Sequence, residues 1–233
     1  MTNSEITKTI WHTGEPLVRG YRAVQVLLGW VVRLAFLTKR QGLEKIPKEG
    51  PVILASNHPS YLDAPLVVAS VRRPVFYLGK HTIFNNPFGS LFLKKLGGQI
   101  PVDRETGGNE DALQAGLRVL ARGFALGICP EGTRSPDGRL MRARTGVAIF
   151  AFLTGTPVYP VAIEGTFRAW PVRRKYPRLF TPTEIIVGDP LIVTRDPLAA
   201  DNPRLCRQLA DDIMTRLGGL LGQPYEPAPL NWR

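Results

Sequence analysis

Short apolar runs separated by helical patterns fill the chain from residue 50 onward, and they constrain its fold more than any other feature. Each run is mainly apolar and has a glycine, proline or asparagine at one or both ends. Such runs are typical of strands buried in a sheet. They lie at residues 51–56, 74–79, 98–102, 124–129, 156–163 and 183–188. Strands that alternate with helices predict an α/β fold, with a central, mostly parallel or mixed sheet flanked by helices.

Two segments carry clear helix signals. Residues 109–122 offer Asn109 as an N-cap, acidic residues in the first turn and leucines that recur on one face. The last helix is expected to begin at Asn202-Pro203 and to stop at Gly218. The tail that follows, residues 222–233, is rich in proline and is predicted to be irregular.

The segment 17–37 is apolar enough to suggest a membrane span, but its longest uncharged run extends only from Ala23 to Val32. A helix that crosses a bilayer needs about 20 apolar residues. On a helical wheel Arg19, Arg22 and Arg33 cluster on one side. The opposite face carries Leu17, Tyr21, Val24, Leu28, Val31 and Ala35, while Trp30 and Leu37 lie near the arginines. This pattern predicts an amphipathic helix on an anionic membrane surface. A core helix with an arginine edge and a true span are the alternatives.

Basic residues outnumber acidic ones by 30 to 19, which gives a formal net charge of +11. Such a balance favours anionic partners, whether nucleic acid, lipid headgroups or phosphorylated substrates. The two cysteines, Cys129 and Cys206, form no metal-ligating or disulfide pattern, so we expect neither a metal site nor a disulfide. Two isolated cysteines fit a reducing cytosol, and no secretory signal peptide is expected.

The stretch VILASNHPSYLDAP, residues 52–65, places one of only three histidines directly after a predicted strand. Ser60 and Asp63 have the spacing of a capping box, in which Asp63 only closes the start of a helix expected at Tyr61. In the other interpretation His58 is a general base. Asp63 then binds its other ring nitrogen, fixes the tautomer and stabilises the imidazolium. The stretch alone leaves both interpretations open.

Two further loops after predicted strands carry reactive side chains. The stretch GGQIPVDRE, residues 97–105, ends in Asp103-Arg104, which by itself is also typical of a surface ion pair. In ICPEGTRSPDG, residues 128–138, Gly132 lets backbone N–H groups approach a ligand. Arg134 offers a planar fork suited to phosphate oxygens, between two hydroxyl side chains. An ordinary turn is the alternative for this loop.

Taken together and in this order, three blocks are similar to those of a known family. The blocks NHPSYLD, GGQIPVDR and CPEGTRS resemble those of the glycerolipid acyltransferases, the 1-acylglycerol-3-phosphate O-acyltransferase (PlsC-like) family. A fourth block, TPVYPVAI, matches the family's Pro-Val pair in a strand, and the resemblance covers residues 40–190. Pro59 stands where Gln is frequent and Cys129 where Phe is usual, but neither departure removes a reacting group.

The resemblance implies a role for each matching residue. His58 is the general base and Asp63 the carboxylate that orients it, in an HxxxxD motif. Arg104 contacts the phosphate of the acceptor. The remaining substrate-binding positions are Lys80, Glu131, Gly132, Thr133 and Arg134.

The implied reaction moves a fatty acyl group from acyl-CoA or acyl-ACP to the free sn-2 hydroxyl of lysophosphatidic acid. The product is phosphatidic acid, in phospholipid biosynthesis, and no cofactor, metal ion or nucleic acid takes part. Residues 1–40 would form a helical element that associates with the anionic membrane, at its cytoplasmic face, as a peripheral or monotopic protein. Residues 41–221 would form the catalytic domain and residues 222–233 the tail.

Four other functions compete with this one. The acceptor can be another lysolipid or glycerol phosphate within the same family, or the protein can bind anionic lipid without catalysis. A nucleic-acid binder explains the charge but not the loops, and no helix-turn-helix or aromatic-basic RNA pattern is present. A condensation-domain acyltransferase would carry a second histidine before the motif and a glycine after it, where this chain has Asn57 and Ala64.

Overall fold

The computed structural model describes residues 16–80, 99–102 and 108–227. Its helices are α1 Pro16–Ala35, α2 Asp63–Ser70, α3 Gly108–Ala121, α4 Gly146–Thr154, α5 Thr166–Ala169, α6 Pro197–Ala200 and α7 Pro203–Leu221. Its strands are β1 Lys39–Gln41, β2 Val52–Ser56, β3 Val75–Lys80, β4 Gln99–Val102, β5 Ala125–Ile128, β6 Val158–Glu164 and β7 Glu184–Val187. A short 3-10 helix covers Leu43–Lys45.

Within the described ranges, seven strands form one mixed sheet in the order β1-β7-β6-β2-β5-β3-β4. Strand β2 is parallel to both of its neighbours, β5 and β6, and β3 and β4 continue the parallel part. Strand β7 runs antiparallel to β6, and β1 pairs with β7 in parallel. The six expected strands and the mixed sheet are confirmed. Strand β1 was not predicted, because its residues, Lys39–Gln41, are exposed and polar, as an edge strand tolerates.

Helices cover both faces of this sheet, as the apolar strands require. Helices α3, α4 and α7 pack on one face and α2 and α5 on the other, in two separate cores. Strand β2 contributes to both, because Ile53 faces the first core while Val52 and Leu54 face the second. A strand buried on both sides is apolar at every position, which is why its sequence shows no alternation.

Helix α1 lies on α2 with a polar edge turned toward the protein. The side-chain amide of Gln25 donates to the carbonyl oxygen of Val68 at 2.7 Å, and the guanidinium of Arg33 donates to that of Ala69. A Cβ on Gly29 would lie 2.9 Å from the same Ala69 oxygen, so glycine permits the close approach. Arg33 therefore does not belong to an exposed basic edge. It satisfies a carbonyl group in the last turn of α2, which has no partner within its own helix.

The opposite side of α1 exposes large apolar side chains. They are Val26, Leu27, Trp30, Val31 and Leu34, which recur at the spacing of one helical face. The side chains at positions 16–24 and 28, Arg19 and Arg22 among them, lie outside the described part of the chain. Over the ranges that the structure covers, none of the helices combines the length and the apolar character that a bilayer crossing demands.

The last helix begins as predicted and ends later. The side chain of Asn202 accepts backbone N–H groups of the first turn, as an N-cap does. The helix continues past the expected stop at Gly218 and ends at Leu221, and its C-cap is Gly222, which has a φ of 62°. A Cβ on Gly218 would lie 2.5 Å from a backbone oxygen of the segment that folds back on the helix, so packing explains this glycine. Residues 222–227 form neither helix nor strand. The helix expected at residues 109–122 is confirmed as α3, but it begins at Gly108, so the expected N-cap, Asn109, lies within its first turn.

Candidate active site

The carboxyl ends of β2, β5 and β6 lie side by side at one edge of the sheet, because these strands are parallel neighbours. The chain leaves β2 through Asn57 and His58, leaves β5 through residues 129–131 and leaves β6 through residues 165–166. Open α/β sheets place their ligand sites at such strand ends. The fold therefore brings the first, third and fourth sequence blocks to the same place.

Asn57 fixes the point at which the chain leaves β2. Its amide donates to the carbonyl oxygen of Ile163 at 2.9 Å, and its oxygen accepts the N–H of Ile163 at 2.8 Å. Both bonds are buried, so they are protected from competition with water. The side-chain amide of Asn57 thus forms the two hydrogen bonds to β6 that a backbone group would form in a sheet. These bonds fix the backbone from which His58 projects.

His58 and Asp63 are in direct contact. Nδ1 of the imidazole lies 2.9 Å from Oδ2 of the carboxylate. The Asp63 side chain is fully buried, while 24% of the His58 side chain is exposed. The bond orients the ring and leaves Nε2 as the nitrogen that can exchange a proton with a ligand.

Asp63 also closes the start of α2, so its two interpretations are compatible. The same Oδ2 accepts the N–H of Ser60 at 2.7 Å, and the hydroxyl of Ser60 accepts the N–H of Leu62 at 3.0 Å. The helix begins at Asp63 and not at Tyr61, because the hydroxyl of Ser60 stabilises a tight turn over residues 60–62. One carboxylate oxygen therefore holds both the helix start and the histidine ring.

Burial and electrostatics act in opposite directions on the ionisation of His58. Burial lowers the pKa of His58, but Cys129 and Asp63 outweigh it and raise that pKa to about 10. Cys129 and Asp63 each act on His58 through charge and through a side-chain hydrogen bond. Burial raises the pKa of Asp63, and its bonds from His58 and from the N–H of Ser60 oppose the rise. The contact thus stabilises an imidazolium at position 58.

Two further residues lie near this pair, and no sequence pattern predicted a role for either of them in the site. Thr166, the first residue of α5, is buried. Its hydroxyl makes no well-formed hydrogen bond within the described residues, yet it lies near enough to lower the pKa of Asp63. Cys129 is a free thiol whose sulfur lies 3.6 Å from the hydroxyl of Ser56, at the end of β2. The same thiol lies near enough to His58 to raise the pKa of the imidazole.

Glu131 is a second buried carboxylate, and it binds backbone groups. One oxygen accepts the N–H of His58 at 2.9 Å, and the other accepts the N–H of Met141 at 3.1 Å. Burial raises the pKa of Glu131, and these two N–H groups oppose the rise. A third bond, from the N–H of Ser135 to the carbonyl oxygen of His58 at 2.8 Å, joins the same loops. The oxygens of Glu131 thus hold the loop after β5 against the backbone of His58.

Arg134 lies in that loop and stacks on an aromatic side chain from the first block. Its guanidinium carbon lies 3.7 Å from the ring centroid of Tyr61. The Tyr61 ring packs in turn on Trp170, with 5.5 Å between centroids. Tyr61 lies between His58 and Asp63 in the sequence, so the stack joins Arg134 to the loop that carries the histidine. The only sequence signal for the stacking role of Tyr61 is the presence of an aromatic residue inside the first block.

A second arginine lies on the same loop. Gly132 has a φ of 73°, and a Cβ there would lie 2.6 Å from Nε of Arg144. Glycine therefore permits both the turn and the passage of this side chain across it. The N–H of Arg144 also donates to the carbonyl oxygen of Pro130 at 2.7 Å. Arg144 was not predicted as a site residue, because a basic run such as RLMRAR is usually part of a solvated surface. Thr133 is exposed at the tip of the loop.

The other two predicted substrate-binding positions are only partly described. Lys80 is the last residue of β3, at the same edge of the sheet as His58, and its side chain lies outside the described part. Arg104 lies wholly outside the described residues, and β4, which precedes it, ends at this edge with Val102. As described, the site combines an oriented imidazole with arginines on a loop fixed to it. Such an arrangement can remove a proton from a hydroxyl group and hold an anionic group nearby.

Several known proteins resemble this chain in sequence or in fold. The model of the Acyltransferase family matches residues 38–164. The 1-acyl-sn-glycerol-3-phosphate acyltransferase of Borreliella burgdorferi is 32% identical over 126 residues, which cover 54% of this chain and 50% of that protein. The chloroplastic enzyme of that name from Brassica napus is 29% identical over 171 residues, 72% of this chain and 49% of that protein. The chain spans about half the length of these two curated relatives.

Human 1-acyl-sn-glycerol-3-phosphate acyltransferase beta is 26% identical over 189 residues, 77% of this chain and 66% of that protein. Among solved structures, the 1-acyl-sn-glycerophosphate (LPA) acyltransferase PlsC from Thermotoga maritima superposes with a TM-score of 0.66 at 22% identity. The match covers 96% of this chain and 98% of that chain. The two proteins share one fold, a central sheet with helices on its faces.

Proposed function

The chain belongs to the acyltransferase family, and we propose that it moves a fatty acyl group from an acyl thioester to the sn-2 hydroxyl of lysophosphatidic acid. The product is phosphatidic acid, and the donor is acyl-CoA or acyl-ACP. The observation that carries the proposal is the 2.9 Å contact between His58 Nδ1 and Asp63 Oδ2 at the end of β2. Bacterial, plant and human relatives that are named for this acceptor support the choice of substrate.

His58 acts as the general base in this reaction. Its Nε2 takes the proton of the acceptor hydroxyl while the hydroxyl oxygen attacks the thioester carbonyl carbon. Asp63 stabilises the imidazolium that results. As the tetrahedral intermediate collapses, the carbon–sulfur bond breaks and the imidazolium gives its proton to the departing sulfur. The free thiol and the new ester leave together, with no acyl group attached to the protein at any step.

The acceptor phosphate binds to arginines held at a fixed position relative to His58. Arg134 supplies a guanidinium that Tyr61 supports, and Arg144 lies across the same loop. Glu131 ties this loop to the backbone of the histidine, so the protein itself sets the spacing between phosphate and base. The further substrate-binding positions are Lys80, Arg104, Gly132 and Thr133.

Lysophosphatidic acid is an amphiphile, so we place the protein at the cytoplasmic face of a membrane, as a peripheral or monotopic protein. The exposed apolar face of α1, with Leu27 and Trp30 at its centre, supports this position. The net charge of +11 favours an anionic leaflet.

Turnover by the purified chain tests the proposal. The protein is incubated with lysophosphatidic acid and a panel of acyl-CoA and acyl-ACP donors, and products are identified by mass spectrometry, with His58→Ala as control. We expect phosphatidic acid from the wild type only. Acylation of a different lysolipid or of glycerol phosphate, and not of lysophosphatidic acid, would show that the proposed acceptor is wrong. Lipid binding without turnover of any donor would contradict the whole proposal.

A further inference from the structure

The loop between α5 and β7 carries a surface that acyl transfer does not explain. Residues 170–180, WPVRRKYPRLF, are here called the basic-aromatic loop. We propose that this loop is a second membrane-docking surface, which binds anionic phospholipid at the bilayer interface beside α1. The proposal concerns binding, and it holds or fails independently of the acyl transfer proposed above.

The basic-aromatic loop carries uncompensated positive charge. Its basic side chains, all exposed, are Arg173, Arg174, Lys175 and Arg178. No acidic residue occurs between Glu164 and Glu184 in the sequence. Among the ion pairs of the described residues, none involves these four side chains. The loop is therefore free to attract an anionic surface.

The same loop exposes large apolar side chains. Tyr176 is 67% exposed, Leu179 55% and Phe180 66%. Single exposed apolar residues are normal in soluble proteins, but a cluster of them next to basic residues is typical of segments that lie in a membrane interface. A nucleic acid would be attracted by the charges, but it would gain little from Leu179.

Phe180 is held outward by a strained backbone. Its φ is 56°, in a region that bulky residues rarely adopt. Its N–H donates to the carbonyl oxygen of Ala35 at 2.6 Å, and Thr183 N–H donates to that of Phe36 at 3.2 Å. Leu37, the other non-glycine residue with positive φ in the described ranges, is also exposed. Two residues with strained backbones, Leu37 and Phe180, thus expose apolar side chains where the loop meets the C-terminal end of α1. Backbone strain of this kind is concentrated at functional sites.

These bonds join the loop to the exposed apolar face of α1. The end of the loop lies against the C-terminal end of that helix, where Leu34 and Leu37 are exposed. A bilayer that receives this face of α1 therefore also meets the basic-aromatic loop. Because the apolar surface continues from one element to the other and is bordered by positive charge, we assign one occupant to both, an anionic leaflet.

The loop is also fixed to the candidate active site. The hydroxyl of Ser60 donates to the carbonyl oxygen of Trp170 at 2.7 Å, and the Trp170 ring packs on Tyr61. The indole N–H of Trp170 donates to the carbonyl oxygen of Arg174 at 3.0 Å, which orders the loop internally. Docking of the loop would therefore set the orientation of the His58 site toward the membrane.

Vesicle binding by the full-length chain tests the charge. Phosphatidylcholine vesicles with and without phosphatidylglycerol are compared by co-sedimentation. A basic residue near an anionic leaflet contributes about fivefold to affinity. The triple variant Arg173→Gln, Arg174→Gln, Lys175→Gln should therefore bind the anionic vesicles on the order of a hundredfold more weakly. The matched control neutralises three exposed arginines of α3 and α7, on the other face of the sheet, as Arg118→Gln, Arg204→Gln, Arg216→Gln.

The control should keep most of its affinity for the anionic vesicles. An equal loss in both triple variants would mean a general charge effect and would overturn the proposal. Normal vesicle binding by the loop variant, combined with weaker binding to single-stranded DNA, would identify a nucleic-acid surface and would also overturn it.

Phe180→Asn tests the apolar part without disturbing the fold. Asparagine adopts a positive φ more readily than phenylalanine, so the melting temperature should be unchanged or higher. Binding to both kinds of vesicle should fall by roughly tenfold or more, because a large buried side chain is lost. The control Leu198→Asn, at a side chain 82% exposed on the far face, should bind normally. Unchanged binding by a well-folded Phe180→Asn would contradict the proposal.

An activity assay separates membrane docking by the loop from the proposed acyl transfer. Loop variants should acylate a short-chain, monomeric lysophosphatidic acid at the wild-type rate and lose activity only on acceptor embedded in anionic vesicles. Vesicle binding needs neither donor nor acceptor. If neither the wild type nor any loop variant acylates lysophosphatidic acid, while the differences in vesicle binding persist, the proposed acyl transfer is wrong and the docking surface stands.

Discussion

The start of α2 and the loop after β5 each bury one carboxylate against the same histidine, and they use it differently. Asp63 is 0% exposed and Glu131 4%, and burial raises the pKa of both. Asp63 binds the imidazole ring of His58, whereas Glu131 binds its backbone N–H. Burial and the direction of a pKa therefore do not distinguish a carboxylate that acts on a reacting group from one that holds the chain. The atom that each carboxylate binds does distinguish them.

Asp63→Asn should have the largest effect among the isosteric changes. The amide oxygen can still accept the N–H of Ser60, but the charge that stabilises the imidazolium is lost. We expect kcat to fall by roughly 10²–10⁴, with a melting temperature close to that of the wild type. Steady-state kinetics and thermal unfolding measure the two quantities. Near-normal turnover would mean that Asp63 serves only the helix start.

His58→Ala, measured beside that variant, tests whether the two residues act as a unit. The single change should be at least as damaging as Asp63→Asn, and the double variant should be no worse than the worse single one. Multiplication of the two losses would show that they act separately. A well-folded His58→Ala with near-normal activity would remove the histidine from the mechanism.

Arg134→Ala should have the next largest effect, and it concerns the loop that Glu131 holds. A charge-assisted bond to the acceptor phosphate is worth roughly 1.5–3 kcal/mol, so kcat/KM for lysophosphatidic acid should fall about ten- to a hundredfold. Donor thioester hydrolysis should change much less, and Arg204→Ala, on the opposite face of the sheet, serves as control. Equal losses in acceptor use and donor hydrolysis would place Arg134 outside the phosphate site.

Tyr61→Leu should have a smaller effect, because it removes only the ring beneath Arg134. Cation–π contacts contribute about 0.5–2 kcal/mol, so KM for the acceptor should rise about two- to thirtyfold with little change in kcat. Tyr61→Phe keeps the ring face and should restore the wild-type KM. A variant Tyr61→Phe as impaired as Tyr61→Leu would mean that the hydroxyl, and not the stack, matters.

Glu131→Gln should have the smallest effect on turnover, and it sharpens the contrast with Asp63. One amide oxygen can still accept an N–H, but the new NH₂ group faces a backbone donor. We expect the free energy of unfolding to fall by about 1–3 kcal/mol. At temperatures where the variant is folded, kcat should stay within about tenfold of the wild-type value. Chemical denaturation measures the loss. A stable Glu131→Gln with turnover as low as that of Asp63→Asn would erase the distinction between the two carboxylates.

The fold followed from the sequence where burial dictates the residue types. Strand β2 is buried on both faces, so its apolar run predicted it, and apolar runs also predicted the other five expected strands. Strand β1 escaped prediction, because polar residues at a sheet edge carry no pattern. The end of α7 was predicted too early in the chain, because close packing, and not helix termination, explains the glycine at position 218.

The candidate site followed from the sequence only where a short loop contains both partners. The spacing of His58 and Asp63 permitted their contact, and the structure shows it. Arg144 and the stack of Tyr61 on Trp170 depend on residues far apart in the chain, so no local pattern could indicate them. The inward position of Arg33 on α1 was not predicted, because a helical wheel does not show that α2 offers a free carbonyl group to this side chain.

The pH dependence of kcat/KM in the wild type and in Asp63→Asn tests most directly whether Asp63 acts through His58. A general base must be unprotonated, so activity should rise with pH through the pKa of His58. In the wild type that limb should lie well above 6.5, the usual pKa of histidine, because Cys129 and Asp63 raise the pKa of His58. In Asp63→Asn the limb should move to lower pH, with a lower plateau. An acid limb at the same pH in both proteins, or activity that falls as the pH rises through this range, would contradict the account.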